Sequence, residues 1–182
     1  IGRLLEGRTP AQADRLRILD PACGSGSFLI RAYQRLLDWY RDRYVEGDPE
    51  KRSRGRKPVI YQAAHGEWRL TAAERKRILL NCIYGVDIDP QAVEVTKLSL
   101  LLKVLEEESD ETIMRQLRLF QERALPDLSR NIRCGNSLIG PDFYDRMLPG
   151  ILDDDERYRI NVFDWKQEFP EVFRIFDPLP LS

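Results

Sequence analysis

The stretch Ile18-Leu-Asp-Pro-Ala-Cys-Gly-Ser-Gly-Ser-Phe-Leu29 constrains the fold more than any other part of the chain. Residues 15–20 are short, apolar and stopped by a proline, as a buried parallel strand entering a turn would be. Residues 21–26 supply the turn, where Gly24 and Gly26 let a backbone bend sharply or let a ligand approach without a Cβ in the way. From Ser27 onward Phe28, Leu29, Ala32, Tyr33, Leu36, Leu37, Tyr40 and Tyr44 recur at three- and four-residue intervals, which predicts one face of a helix. The unit is strand, glycine turn, helix.

The same grammar returns further along. Residues 83–88 read as a second buried strand ending in Asp87-Ile-Asp-Pro90. A helix is expected over 91–108, with Ala92, Val93, Leu98, Leu101, Leu102 and Leu105 on its apolar side, and another over 111–125. Residues 131–134 suggest a third strand, leading into Gly135-Asn-Ser-Leu138. Before the second strand, Thr71 and Glu74 have the capping-box spacing that opens a helix running toward Asn81. Residues 45–70, broken by Gly47, Pro49, Gly55, Pro58 and Gly66, read as an insertion with little regular structure, and residues 141–182 as an irregular tail.

Strands alternating with helices imply an α/β fold, a parallel sheet with helices on both faces, here incomplete. Ligands of such sheets bind beyond the carboxyl ends of the strands, so the turns after the three strands should share one edge.

Composition limits the function classes. With 182 residues the chain is read as one domain, and 42% apolar with 32% charged residues is a globular balance. No apolar run is long enough to span a membrane, and no signal peptide follows Ile1, whose identity suggests an excised piece. Cys23, Cys82 and Cys134 stand far apart without metal-ligand spacing, which points to a reducing, cytoplasmic setting and to no metal site. A net charge of -1 leaves no whole-domain footprint for nucleic acid, and the basic run Lys51, Arg52, Arg54, Arg56 and Lys57 reads as a solvated loop. The acidic runs at 106–108 and 153–156 read as a solvated helix end and loop. His65 is assigned to the surface, and Trp39, Trp68 and Trp165 to packing.

The turn residues suggest a ligand class. Asp20 could accept hydrogen bonds from an ammonium group or from loop amides, or cap a helix or turn, and its carboxylate would repel a nucleotide phosphate. Asp87, at the end of its strand, has the bidentate acceptor geometry that suits a ribose diol. Asp89 either points the same way, two residues on, or caps the next helix through its Asp-Pro pair. Ile88 could lie against an adenine ring. Asn136 offers donor and acceptor to an adenine edge, or makes an ordinary Asn turn. A dinucleotide fingerprint fails, because Leu29 stands where the third glycine belongs and Asp87 follows the turn by about 60 residues instead of roughly 20.

Together these segments resemble the cofactor half of adenine-N6 DNA methyltransferases, especially the large fused restriction-modification and phage-defence enzymes. The first motif is the Ile18–Leu29 stretch, the second Ile83-Tyr-Gly-Val-Asp-Ile-Asp-Pro90, and the third Cys134-Gly-Asn-Ser-Leu-Ile-Gly140. The resemblance covers roughly residues 15–140 and implies a Rossmann-like fold that binds S-adenosylmethionine. Asp20, Pro21, Ala22, Cys23, Gly24, Gly26 and Phe28 would surround its methionine part. Asp87 would take the ribose hydroxyls, Ile88 the adenine ring and Asn136 its exocyclic amine, with Ser137 and Leu138 also among the cofactor-binding residues. The family's base-gripping tetrapeptide, (Asn, Asp or Ser)-Pro-Pro-(aromatic), is absent, and Asp177-Pro-Leu-Pro180 lacks the aromatic platform. No catalytic residue is therefore assigned. The expectation is a cofactor-binding part that transfers no methyl group alone, with double-stranded DNA contacted by other parts of the parent protein. A methyltransferase acting on RNA or on protein glutamine, and a non-catalytic assembly module, remain alternatives.

Overall fold

The structure is a computed structural model that describes residues 1–63, 66–106, 126–145 and 152–173. Two short helices, α1 (Gly2–Leu5) and α2 (Pro10–Ala13), precede β1 (Ile18–Asp20), which leads into the long α3 (Ser27–Glu46). After α5 (Ala72–Cys82) come β4 (Ile83–Asp87), α6 (Pro90–Leu105) and β5 (Ile132–Cys134). The sheet is parallel with order β1-β4-β5, and Ile18 pairs with Ile83 while Asp87 pairs with Cys134. β4 is therefore central, and its first four residues are buried.

One sheet face carries the main core. Leu29, Ala32, Tyr33, Leu36, Leu37, Tyr40 and Tyr44 of α3 are buried there with Ile78 and Leu79 of α5 and Val93, Leu100 and Val104 of α6. The period-two alternation of β4 sends Tyr84 and Val86 to the opposite face, against Phe163 and Phe169. Two single-turn helices beyond β5, Trp165–Glu168 and Pro170–Phe173, cover that second face. The chain thus has the α/β, Rossmann-like arrangement with helices on both faces, thick on one side and thin on the other.

The stretch expected to be irregular is not. Residues 45–70 complete α3 and form α4 (Pro49–Ser53) and an antiparallel hairpin of β2 (Ile60–Gln62) and β3 (Trp68–Leu70). Ile60 and Leu70 face each other and are buried, so the hairpin is an extension of the core. Of the basic run, Arg52 lies over the Tyr44 ring at 4.7 Å and Arg54 pairs with Glu50, while Lys51, Arg56 and Lys57 are exposed. The tail likewise holds α7 (Asp142–Asp145), α8 (Asp154–Ile160), α9 (Trp165–Glu168) and α10 (Pro170–Phe173). Asp153 and Glu156, read as a solvated acidic loop, form a reciprocal capping box that starts α8.

At α5 the capping reading is half realised. Thr71 accepts from the Glu74 amide, but the Thr71 N–H donates to Val59 O. The Glu74 carboxylate instead turns inward, accepting from Tyr44 Oη at 2.6 Å and from Arg77 Nε and Nη2. Arg77 also reaches Asp14, which accepts from Tyr40 Oη, so one charged network ties the entry to β1 onto α3 and α5. Phe28, Leu98 and Leu102, expected on buried helix faces, are more than half exposed; α6 buries Val93, as expected, together with Thr96, Leu100 and Val104. The helix expected over 111–125 lies outside the described residues, as do His65 and residues 177–180. Among the described residues no helix is long and apolar enough to cross a membrane.

Candidate ligand site at the carboxyl edge of the sheet

The turn after β1 is fixed by bonds to the neighbouring strand. Asp20 Oδ1 accepts from the Ala22 amide at 3.1 Å, and the Cys23 amide donates to Val86 O at 2.9 Å. Burial pushes the Cys23 thiol up to about 11, so it stays protonated near neutrality and packs as a small apolar group. Gly24 and Gly26 adopt left-handed φ values of 53 and 81, as only glycine does at little cost. They differ in what surrounds them. A Cβ on Gly26 would meet the Thr96 side chain at 2.8 Å, whereas one on Gly24 would point into open space.

Thr96, which the sequence reading passed over, is fully buried on α6, and its hydroxyl donates to Gly24 O at 2.7 Å. A hydroxyl residue on the buried stripe of a helix, three residues after Val93, was the available signal.

The second turn is joined to the first. Asp87 Oδ2 accepts from the Gly24 amide at 2.7 Å, and Asp87 Oδ1 accepts from the Asp89 amide at 3.0 Å. Asp89 is the N-cap of α6, accepting from the Gln91 amide, so of its two readings the cap is the one realised. The third turn follows from β5. The Gly135 amide donates to Asp87 O at 2.9 Å, and Asn136 Oδ1 accepts from the Leu138 amide at 3.2 Å. Gly24, Asp87 and the Gly135–Leu138 turn thus converge on one edge of the sheet.

Among the remaining residues read from the sequence, Pro21 and Ala22 are exposed on the first turn and Ser137 is half-buried on the third. Phe28, Ile88 and Leu138 follow the three strands in turn and are 55%, 52% and 92% exposed. The edge therefore combines two carboxylates, an Asn amide and unburied apolar side chains beside the open space at Gly24. Carboxylates with spare lone pairs suit hydroxyl and ammonium donors and repel phosphate. Trp39 and Trp68 pack against the main core as expected. Trp165 does more than pack, since its Nε1 donates to Ser137 O at 3.2 Å.

Comparison with known proteins agrees with this geometry. The model of the RMKL-like methyltransferase domain matches residues 8–110, which makes this a methyltransferase domain by class. The Eco57I restriction-modification methylase model matches residues 81–178, and the chain belongs to that family. Membership implies a methyl donor.

Among curated proteins, the type II restriction enzyme and methyltransferase RM.Eco57I of Escherichia coli is 33% identical over 87% of the chain and 14% of its own length. The putative type II restriction enzyme and methyltransferase RM.MjaORFECS2P of Methanocaldococcus jannaschii is 40% identical over 71% of the chain and 9% of its own length. The adenine-specific methyltransferase PglX of Streptomyces coelicolor is 26% identical over 88% of the chain and 11% of its own length. The chain thus spans 9 to 14% of the length of these relatives. No solved structure matches it.

Proposed function

We infer that the chain is the S-adenosylmethionine-binding part of an enzyme that methylates adenine N6 in DNA, in a restriction-modification or phage-defence system of the cytoplasm. The observation that carries the reading is the Gly24–Asp87 hydrogen bond beside open space at the Gly24 Cβ position. It holds an acceptor pair next to a backbone that a ligand can approach closely. Each Asp87 oxygen keeps a lone pair for the ribose diol, and Asp20 keeps a carboxylate oxygen for the amino group of the methionine end. Ile88 and Leu138 offer the apolar surface for the adenine ring, whose edge the Asn136 amide reads. Bound S-adenosylmethionine supplies a methyl group on a sulfonium, which needs no activation by this edge.

Nothing in the chain grips the target base, because no (Asn, Asp or Ser)-Pro-Pro-(aromatic) tetrapeptide occurs in the sequence. Base chemistry and the contacts to double-stranded DNA are assigned to other parts of the complete protein, and the isolated chain should leave plasmid DNA unmethylated. Adenine as target is favoured by the specificity in the name of PglX. Calorimetric titration of the complete protein with S-adenosylmethionine tests the site. Asp87→Asn keeps one oxygen for the Gly24 amide but turns an amide donor toward the diol, so affinity should fall by about tenfold or more. Equal affinity would overturn the ribose assignment, and methylation of RNA but not DNA would overturn the substrate.

A further inference from the structure

The turn after β5 is gripped from outside by a later part of the chain. The Asn136 amide donates to Asn161 O at 2.7 Å, and the Phe163 amide donates to Ile139 O at 2.9 Å. Asn161, at a left-handed φ of 47, ends α8 and turns the chain so that Val162 lies beside Asn136 as in a parallel bridge. Between these two backbone bonds the Trp165 indole Nε1–H donates to Ser137 O. The indole is itself held by rings, with its centroid 4.9 Å from that of Phe163 and 5.8 Å from that of Phe173.

The third bond reaches further than its partners suggest. Ser137 O and the Leu138 N–H belong to a single peptide unit, which is planar and rigid. Trp165 holds the carbonyl end of that plane, and the amide end donates to Asn136 Oδ1. Rotation of the plane would break both bonds at once. The orientation of the Asn136 side chain is therefore coupled, through one peptide, to the indole N–H. Asn136 Oδ1 keeps a second lone pair to accept from a 6-amino group, and the side-chain Nδ2, which has no partner among the described residues, can donate to the neighbouring ring nitrogen.

We propose that Trp165 is a positioning residue for Asn136, which gives the adenine end of the site its selectivity for a 6-aminopurine. The inference rests on the cofactor reading above. It concerns the part of the ligand that does not react, so binding alone can test it.

The experiment compares S-adenosylhomocysteine with S-inosylhomocysteine, which carries oxygen in place of the 6-amino group, on the complete protein and on Trp165→Phe. Phenylalanine keeps an aromatic ring and removes only the donor. The unaltered protein should prefer the adenine compound, and the variant should lose about fivefold in affinity for it while changing less than about twofold for the inosine compound. A variant that weakens both compounds equally, or neither, overturns the inference. Failure of the unaltered protein to bind either compound overturns the cofactor reading instead and takes the inference with it. Hydrogen exchange without ligand gives a second measurement. The Leu138 amide should exchange several-fold faster in the variant while α5 is unchanged, and an unaltered Leu138 rate overturns the coupling whatever the binding data show.

Discussion

Thr96 and Gly24 stand 72 residues apart in sequence and meet where the Thr96 hydroxyl donates to the Gly24 carbonyl across 2.7 Å. The bond pins the first turn to α6. Thr96→Val keeps the shape and removes the donor, leaving a carbonyl without its partner. The expected cost is about 1–3 kcal/mol in denaturant unfolding, with Thr96→Ser retaining most of the stability. Equal stability of the valine and wild-type proteins would contradict the role.

Gly26 should tolerate no side chain. An added Cβ meets Thr96 at 2.8 Å, on a backbone with φ 81 that L-residues disfavour. Gly26→Ala is expected to cost about 2 kcal/mol or more. Gly24→Ala meets nothing within 4 Å, so it should cost about 1 kcal/mol of backbone strain alone but weaken cofactor binding more than it weakens the fold. Thermal melts paired with titration separate the two.

Thiol chemistry should single out one cysteine. Cys23 and Cys82 are buried with their thiols pushed up to about 11 by burial, while Cys134 is exposed. Alkylation at pH 8 followed by peptide mapping should modify Cys134 quickly and leave the other two untouched until the protein is denatured. Rapid labelling of Cys23 in the folded state would show that the turn opens.

The same thiols set an alkaline limit to stability. Their folded values lie above the ordinary 9.0, so their contribution is fully present below about pH 9 and is lost as pH rises through 11. Tyr84, raised by burial from 10.0 to about 12, extends the loss upward. Tyr40 and Tyr44 are raised as well, by burial and by the carboxylates of Asp14 and Glu74. Melting temperature should decline steadily from pH 9 to 11, and a flat profile would refute these burial assignments.

The Glu74–Arg77 pair, which Tyr44 of α3 joins through its hydroxyl, offers a further test. Glu74 is almost fully buried, and Arg77 is the cation that faces it and Asp14. Arg77→Met should destabilise by about 2–3 kcal/mol, because two carboxylates lose their common partner. Adding Glu74→Gln to Arg77→Met should restore part of that loss, as urea midpoints would show.

Much of the sheet and its edge was legible in the sequence, for a physical reason. A buried parallel strand is a short apolar run, and the residues that end it must turn the chain, so the first two announced themselves by composition and stop signal together, while the third, with Arg133 in its middle, was the weaker candidate. Periodicity was less informative where both helix faces carry leucine. On α6 the buried stripe runs through Thr96, which a count of apolar residues skips, while Leu98 and Leu102 are exposed. The β2–β3 hairpin was hidden because its apolar residues are few and the neighbouring Gly, Pro and basic residues look like loop. Phe28 fits the helical spacing yet is exposed on the first turn of α3. The grip of Trp165 on Ser137 was illegible, because nothing local to either residue specifies the meeting.

One contact in that grip links two positions as a unit. The Phe163 ring occupies the place a side chain on Gly135 would need. Any residue larger than glycine at 135 must therefore be accompanied by a smaller or displaced group at 163, so natural variants are expected to exchange bulk between these two sites in step. A change at either position alone should tilt the Gly135–Leu138 loop from outside the residues proposed to meet the ligand.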